Sequence, residues 1–582
     1  MQPSSKVSLS FIEGSLTLIA TAISLAWPRL GDGWFRCVEQ AFGRLARRKG
    51  LSVLVVGLLV IVLRLAILPI LPIPLPFIPD DFSFLLAADT FVHGRLTNPT
   101  PAMWLHFESL HITMKPTYMS MYFPGPGLVL AAGWILLGHP WYGLLIANAL
   151  MCAALCWMLQ AWLPPTWALL GGFLAVIHIS LFSYWINTYT GGGTIAALGG
   201  ALLLGSLPRF MRNPQLRYLI LMAFGVILFM YTRPYEGMLL CLPVAVALGH
   251  WLIKGKNRPN AASMARLGAA PLVLLIAAAA WLAFYDYRCF GNPFTLPYTI
   301  DRATYARVPY YVWQHLRPEP VYHHEVLRQF YDSKRFDELF FYDQYLSFAG
   351  RITQAMVKAW GEVSFYLGFA LIPPAFMLYK SLRDRRLRLL SFTLLPLIAS
   401  FFIGIFLMPH YWAPFTAVFY AVELQSMRHL RVWKQTGQPV GRTMVRLCLT
   451  CCVLVAGLRL GASPLKIALG KLPDANSWIN WYGPDRFGVE RADVESKLER
   501  LPRHQLVIVR YLQAHNPGYD WVYNAADIEQ SRVIWAREMD PASNQKLIQY
   551  YKDRQAWLVE PDTRPVTVIP YPSVAQIAPA HF

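Results

Sequence analysis

Long apolar runs separated by short polar stretches recur along the chain from residue 51 to residue 462. A bilayer core of about 30 Å needs about 20 apolar residues in a helix. Runs of that length fall at 51–71, 140–162, 165–185, 191–207, 216–232, 237–253, 267–285, 361–379, 388–408, 411–427 and 444–462. One more, 125–138, is short and opens with Pro124-Gly125-Pro126-Gly127, which reads as a breaker. Residues 8–27 fit a span, an interfacial helix or a signal-like apolar segment equally. Cleavage there would leave the basic stretch 28–50 outside, which argues against a signal peptide. The stretch 33–48 is amphipathic and basic and suits the cytoplasmic headgroup region.

The pattern changes after the last run. From residue 484 the chain is charged, with helical patterning at 488–502 and 541–552 and strand patterning at 505–510, 521–524, 532–537 and 555–560. The predicted fold is an all-α polytopic membrane protein of about 11 to 12 transmembrane helices with a small α/β C-terminal extracytoplasmic domain. Its expected divisions are a cytoplasmic segment 1–50, a transmembrane module 51–285 with an external loop 72–139, a second external loop 286–360, C-terminal transmembrane helices 361–462 and an external domain 463–582.

Composition agrees with a bilayer as solvent: 55% of residues are hydrophobic and 15% charged, with a mean hydropathy of +0.36. The formal charge of +19 would suggest nucleic acid in a soluble domain. Here Lys and Arg fall in short clusters between apolar runs, so the charge reports topology and no nucleic-acid partner is expected. Arg44, Arg47, Arg48 and Lys49 place the start of the first full run inside. If 125–138 does not cross, the clusters Arg209/Arg212/Arg217, Lys254/Lys256/Arg258/Arg266, Arg383/Arg385/Arg386/Arg388 and Arg428/Arg431/Lys434/Arg442/Arg446 all fall inside as well. The short run is therefore expected to be juxtamembrane or re-entrant. Six of eight cysteines lie in apolar runs, where they read as small hydrophobes, and Cys448, Cys451 and Cys452 have no His or carboxylate beside them to suggest a metal.

Candidate chemistry collects on the side opposite the basic clusters. Asp80 and Asp81 follow Pro79 just past the first run. The pair suits a general base or a metal-ligand pair, while residue spacing alone favours a helix N-cap with an acidic first turn. His106, Glu108, His111 and Lys115 crowd the same loop, as a metal or phosphate site or as an ordinary solvated stretch. Arg233, in the turn TRPYEG, is a basic residue where the inside preference disfavours one. Its planar fork matches phosphate oxygens, and snorkelling to lipid headgroups explains it as well. Glu236 beside it reads as its partner. Asn187 and Tyr189, in the turn NTYTGGG, offer neutral hydrogen-bonding groups beside glycines that permit close backbone approach, though the pattern is first that of a plain helix–helix turn. His410 and Tyr411, in MPHYWAP, fit a phosphate or proton-transfer role, and Tyr411 with Trp412 also fits an interfacial aromatic belt.

DDFSFLLAADTF, HGRLTNPTP, HFESLH, PTYMSMYFPGPG, SYWINTYTGG, RPYEG and PHYWAP, in that order, with WVYNAADIEQSRVIWAR in the tail, cover most of the chain. This ordered set resembles the GT-C glycosyltransferases, in particular bacterial glycosyltransferase family 39 members akin to protein O-mannosyltransferases and lipid A aminoarabinose transferases. The resemblance implies a polyprenyl-phosphate sugar donor, external catalysis and an acidic pair that falls on Asp80 and Asp81. Related members usually carry Asp-Glu there, and often a Lys in a Tyr-Pro-Pro stretch. This chain has Asp81 and Met121-Tyr122-Phe123-Pro124 instead, which leaves Lys115 or Arg233 for the phosphate.

The expected reaction is direct displacement at the anomeric carbon, with Asp80 taking the acceptor's proton and Arg233, Lys115 and His410 available to the phosphate. Glu108, His111, Asn187, Tyr189, Glu236 and Tyr411 are the candidates for substrate contacts. Neither a Walker A pattern nor a GxGxxG between strand and helix occurs, so no nucleotide cofactor is expected. A divalent metal, if used, would fall to Asp80 and Asp81. The acceptor is a glycan, lipid or protein, and the expected setting is the bacterial inner membrane with the site and the C-terminal domain periplasmic. The rival readings are a flippase or transporter for lipid-linked sugars, a surface-polysaccharide polymerase or ligase, and a non-catalytic scaffold. A transporter predicts ionisable residues within spans and repeated halves.

Overall fold

The computed structural model describes residues 7–255, 257–333, 338–406, 408–462, 464–467, 469–470 and 486–572. Lys256, the stretch 471–485 and the ends 1–6 and 573–582, on which parts of the expected divisions fall, lie outside the described residues. The helices of ten or more residues are, in chain order, α1 (Leu9–Ala26), α2 (Asp32–Arg47), α3 (Lys49–Ala66), α4 (Pro79–Val92), α5 (Pro124–Leu137), α6 (Trp141–Trp162), α7 (Pro165–Ala175), α8 (Gly192–Arg212), α9 (Leu216–Met230), α10 (Pro234–Lys254), α11 (Ala261–Phe290), α12 (Phe348–Tyr366), α13 (Arg388–Ile403), α14 (Thr416–Arg431), α15 (Val440–Ala462), α16 (Val489–Glu499) and α17 (Pro541–Tyr550). Among the described residues, seven are long and apolar enough to cross a bilayer: α1, α3, α6, α8, α10, α11 and α15. Shorter apolar helices lie at Pro124–Leu137, Pro165–Leu181, Leu216–Met230 and Arg388–Ile403. The chain is a multi-pass membrane protein with a small sheet near its C-terminus.

The chain divides into two compact units. The first gathers Met1–Ile73, Trp141–Ala280 and Ser347–Asp485. Within it α1 runs antiparallel to α15. Leu9 packs with Val455 and Ala462, while at the other end the Thr443 hydroxyl donates to the Pro28 carbonyl. The apolar run at 8–27 is thus a full helix laid along a transmembrane partner. Beyond it, α2 is tied down by charge: Arg431 and Arg446 reach Glu39, and Arg442 and Arg446 reach Asp32. The basic residues read as a topology signal have specific acidic partners here.

The expected span 361–379 is not one helix. α12 ends at Tyr366, Gly368 takes a left-handed φ of 65°, and Pro373–Met377 continues as a 3₁₀ turn. Pro373 and Pro374 remove two backbone donors, so an uninterrupted helix is disfavoured there. Irregular backbone in a bilayer needs internal partners. Glu13 supplies one, its carboxylate accepting from the Ala370 N–H at 3.2 Å.

The second unit gathers Pro74–Pro140, Trp281–Leu346 and Arg486–Phe582. Its sheet has four strands, β1 (Gln505–Val509), β2 (Val533–Arg537), β3 (Gln555–Glu560) and β4 (Thr567–Pro570), in the order β2-β1-β3-β4, with β4 antiparallel. The strand expected at 521–524 is absent. Asn524 pairs with β2 through its side chain instead, its amide accepting from Trp535 N and donating to Trp535 O at 2.8 Å each. One sheet face shares a core with the first loop: Leu506, Ile508 and Ile534 pack in a cluster with Phe82, Leu86, Phe107 and Ile112. A sheet of this size is short of core by itself, and the loop supplies the missing apolar surface.

Pro124-Gly125-Pro126-Gly127 does not break a helix; it begins α5, where prolines are tolerated because the first-turn N–H groups have no intrahelical acceptor. A Cβ at Gly127 would lie 2.7 Å from the Ala87 Cβ and 3.0 Å from the Phe91 ring. Glycine there lets α5 seat against α4, the helix that carries both acids.

Candidate active site

The first two acids of α4 have different surroundings. Ile78 holds the N-cap position and Pro79 the first turn, so Asp80 is not the cap residue. Asp81 is fully buried and accepts from the Phe77 N–H at 3.3 Å, which fixes the segment leading into the helix. Asp80 retains 25% exposure of its side chain. Tyr122 donates its phenol hydrogen to Asp80 Oδ1 at 2.6 Å, and the same phenol oxygen lies 3.0 Å from His111 Nδ1. Since the phenol has one hydrogen and the carboxylate takes it, Nδ1 of His111 is the protonated nitrogen. Its hydrogen faces both the Tyr122 oxygen and Asp80 Oδ2, at 3.4 Å.

A short hairpin builds this cluster. Ile112–Thr113 pairs antiparallel with Met119–Ser120, so His111 and Tyr122, at the two ends of the hairpin, meet beside Asp80. His111 has φ 61°, rare for a residue with a Cβ. Its carbonyl accepts from Ser83 Oγ at 2.6 Å and from Met121 N at 3.2 Å, which holds that conformation against α4. Phe84 stacks on Tyr122 with centroids 4.3 Å apart. Burial alone would push the His111 imidazolium down, but Asp80, with Asp301 and Glu338 behind it, holds it above the ordinary imidazole range. Asp301 is fully buried, accepts from Tyr331 at 3.2 Å and leaves Oδ1 without a hydrogen bond. Burial raises its carboxyl above the usual range.

The other polar residues of the first loop sit apart from Asp80. Glu108 is 1% exposed and accepts from Tyr305 at 2.8 Å, with His323 Nδ1 also at 2.8 Å. Burial drives His324, 3.7 Å from Glu108, down to about 3, so it is neutral and donates Nε2–H to the Leu105 carbonyl. His106 Nδ1 lies 3.0 Å from the Arg537 carbonyl, and Arg537 pairs with buried Asp520. Lys115 is exposed, its ammonium 3.9 Å from the Trp104 ring centroid.

The remaining candidates belong to the first unit. Arg233 precedes α10 and lies with its guanidinium 4.2 Å over the Tyr411 ring. His410, 7% exposed, meets Tyr411 edge-on at 4.7 Å and Tyr184 Oη at 2.7 Å from Nδ1. Arg233, Tyr411, His410 and Tyr184 thus form one cluster. Glu236 lies in the first turn of α10 within electrostatic reach of Arg233. Asn187 accepts from Arg64 at 3.2 Å and donates to the Leu181 and Ser183 carbonyls at 3.0 Å each, and Tyr189 is buried. Gly193 passes so close to Trp185 that a Cβ would lie 2.4 Å from its ring.

The sequence reading missed Tyr122, Tyr184 and Asp301 as site residues. Tyr122 and Tyr184 stand inside motifs quoted above, but an aromatic in an apolar run gives no sign that its hydroxyl meets a carboxylate or an imidazole. Among the described residues no group of three or more His, Cys, Asp or Glu is arranged to hold a metal ion. Asp81 is directed to Phe77 N, and Asp80 to Tyr122 and His111.

No family model matches the chain, and no curated protein matches it. Among solved structures it is similar to ArnT from Cupriavidus metallidurans, in the apo state and bound to undecaprenyl phosphate. In each case identity is 12%, coverage is 86% of this chain and 92% of that chain, and the TM-score is 0.48. It is also similar to the Archaeoglobus fulgidus oligosaccharyltransferase tethered with an acceptor peptide, at 10% identity over 88% of this chain and 68% of that chain, with a TM-score of 0.44.

Proposed function

We propose that this chain transfers a sugar from a polyprenyl-phosphate donor to an acceptor hydroxyl at the external face of the bacterial inner membrane. The observation that carries the reading is Asp80: a partly exposed carboxylate at the start of a helix, oriented by Tyr122 and His111. The acceptor oxygen forms a bond to the anomeric carbon, the carbon–oxygen bond to the phosphate breaks, and the acceptor's proton passes to Asp80. Polyprenyl phosphate leaves with the bonding pair, and a single displacement inverts the anomeric centre. Arg233 and His410 have the charge and hydrogen-bonding groups to hold a phosphate, and Lys115 is the alternative in the second unit. Glu108 is assigned to the frame that holds the first loop, with any substrate contact made through His111. We assign Asn187, Tyr189, Glu236 and Tyr411 to contacts with the substrate.

Asp80→Asn keeps the side chain's shape but removes the proton acceptor. It should leave membrane insertion and polyprenyl-phosphate binding unchanged and lower the melting temperature only by the loss of its charge beside His111, while transfer per folded molecule falls by about 10²-fold or more. Transfer at the wild-type rate would return Asp80 to a structural role. The carrier reading has one observation in its favour: Glu13 in α1 and Glu423 in α14 are buried within the helical unit. A carrier would translocate lipid-linked sugar equally well in wild type and in Asp80→Asn, so a flux assay on the same variant separates the two readings.

A further inference from the structure

α12 is amphipathic in the inverse sense. Its buried face carries Gln354, Lys358, Glu362 and Tyr366 at successive four-residue steps, one above another on a single stripe. The opposite face exposes Phe348, Met356, Val357 and Trp360. Its polar side faces the interior of the first unit, and its apolar side is exposed.

Two of the four polar groups on that stripe have hydrogen-bond partners. Lys358 donates to the Gly404 carbonyl at 2.6 Å. Tyr366 donates to the Pro409 carbonyl at 3.2 Å and accepts from Thr416 at 3.2 Å. Glu362 differs: it is 6% exposed, and Oε2 has no hydrogen-bond partner. A buried carboxylate oxygen without a donor is costly, and such a group in a native structure points to a missing partner. Glu362 lies within electrostatic reach of Tyr184 and Tyr366. Arg233 also acts on Tyr184, whose hydroxyl meets His410. The neighbourhood therefore combines cations suited to a phosphate with one buried carboxyl group whose Oε2 has no hydrogen-bond partner.

We infer that Glu362 recognises the sugar of a phosphate-linked donor, accepting hydrogen bonds from its hydroxyl or amino groups. This rests on the proposed transfer reaction, and it names a specificity residue for the head group, separate from the base. The unpartnered Oε2 is met by a sugar hydroxyl or amino group, which a bare phosphate does not supply.

The test compares binding of undecaprenyl phosphate with its hexosyl, pentosyl and aminopentosyl forms, to wild type and to Glu362→Gln in the same detergent. Wild type should prefer at least one glycosylated form over the bare lipid. The variant should lose about tenfold or more of that preference, with bare-lipid affinity and melting temperature unchanged. Retained preference in the variant, equal weakening of all lipids, or a wild type that does not discriminate would each overturn the inference. A wild type that binds none of the lipids would overturn the transfer reading itself. Glu362→Asp keeps the charge but withdraws both oxygens by one methylene, and it carries the test if the Gln variant loses its melting transition. It should reduce the preference severalfold, and an unchanged preference would count against Glu362.

Discussion

Two neighbouring aspartates of the same chemistry end in different environments, because their directions from a helix start differ by about 100° per residue. Asp81 points into the unit and fixes Phe77; Asp80 meets Tyr122 and His111. Asp81→Asn should therefore act mainly on stability, lowering the melting temperature with less effect on transfer per folded molecule than Asp80→Asn. His111 gives a pH signature. Its folded value is raised by Asp80, Asp301 and Glu338, so its stabilising contribution is fully present below the unfolded imidazole value of about 6.5. That contribution is lost as pH rises through the higher folded value. Melting followed across pH 5 to about 9 should show this alkaline loss in wild type, and His111→Gln should flatten it. A profile of the same shape in both would remove His111 from the account. For Arg233, the position over Tyr411 suits a guanidinium plane. Arg233→Lys should weaken donor binding while leaving the fold intact, and unchanged donor kinetics in both the Lys and Ala variants would leave headgroup anchoring as its role.

At the scale of elements, the site depends on how closely helices approach. α5 seats on α4 through Gly127, where a methyl group would overlap Ala87 and Phe91. Gly127→Ala should destabilise the second unit by about 1–3 kcal/mol and, by shifting α4, reduce transfer as well. Adding Ala87→Gly should recover part of the melting temperature, since it removes the nearer of the two collisions. No recovery would mean that backbone effects of the glycine, rather than its packing, set the loss. The interruption after α12 is a related case. It frees backbone groups inside a membrane unit, and one of them is met by Glu13 from α1, a partner 357 residues away in sequence.

Over the whole chain, charge and hydropathy determine how it threads. Reporters placed after Met121 and Gln344 should report the external side and one after Arg386 the cytoplasm. Because α1 packs antiparallel to α15 as a helix of spanning length, an N-terminal tag should be reached from the external side. A cytoplasmic Met121 or an external Arg386 would overturn the assignment of sides, and a cytoplasmic tag would overturn α1 as a span.

The sequence by itself determined that the chain lives in a bilayer, since runs of about 20 apolar residues have no other stable solvent. It determined where most helices fall, because Lys, Arg, Pro and Gly punctuate those runs. It determined the strands at 505–510, 532–537 and 555–560, because short apolar runs rich in Val, Ile and Trp and bounded by polar residues are a local signal. It also marked candidate acids in the first loop, just past an apolar run. What it left to tertiary structure is every relation between distant residues. That Asp80 rather than Asp81 meets Tyr122 follows from a hairpin folded back on α4. That residues 521–524 are not a strand follows from one Asn amide satisfying β2 in place of a backbone ladder. That residues 361–379 are broken depends on a donor-poor segment finding Glu13. Glu362 became visible only when its helix was seen to bury a polar face. A polar residue in a sequence carries no mark of whether its partner is water, protein or a substrate, and burial decides that only after the chain has folded.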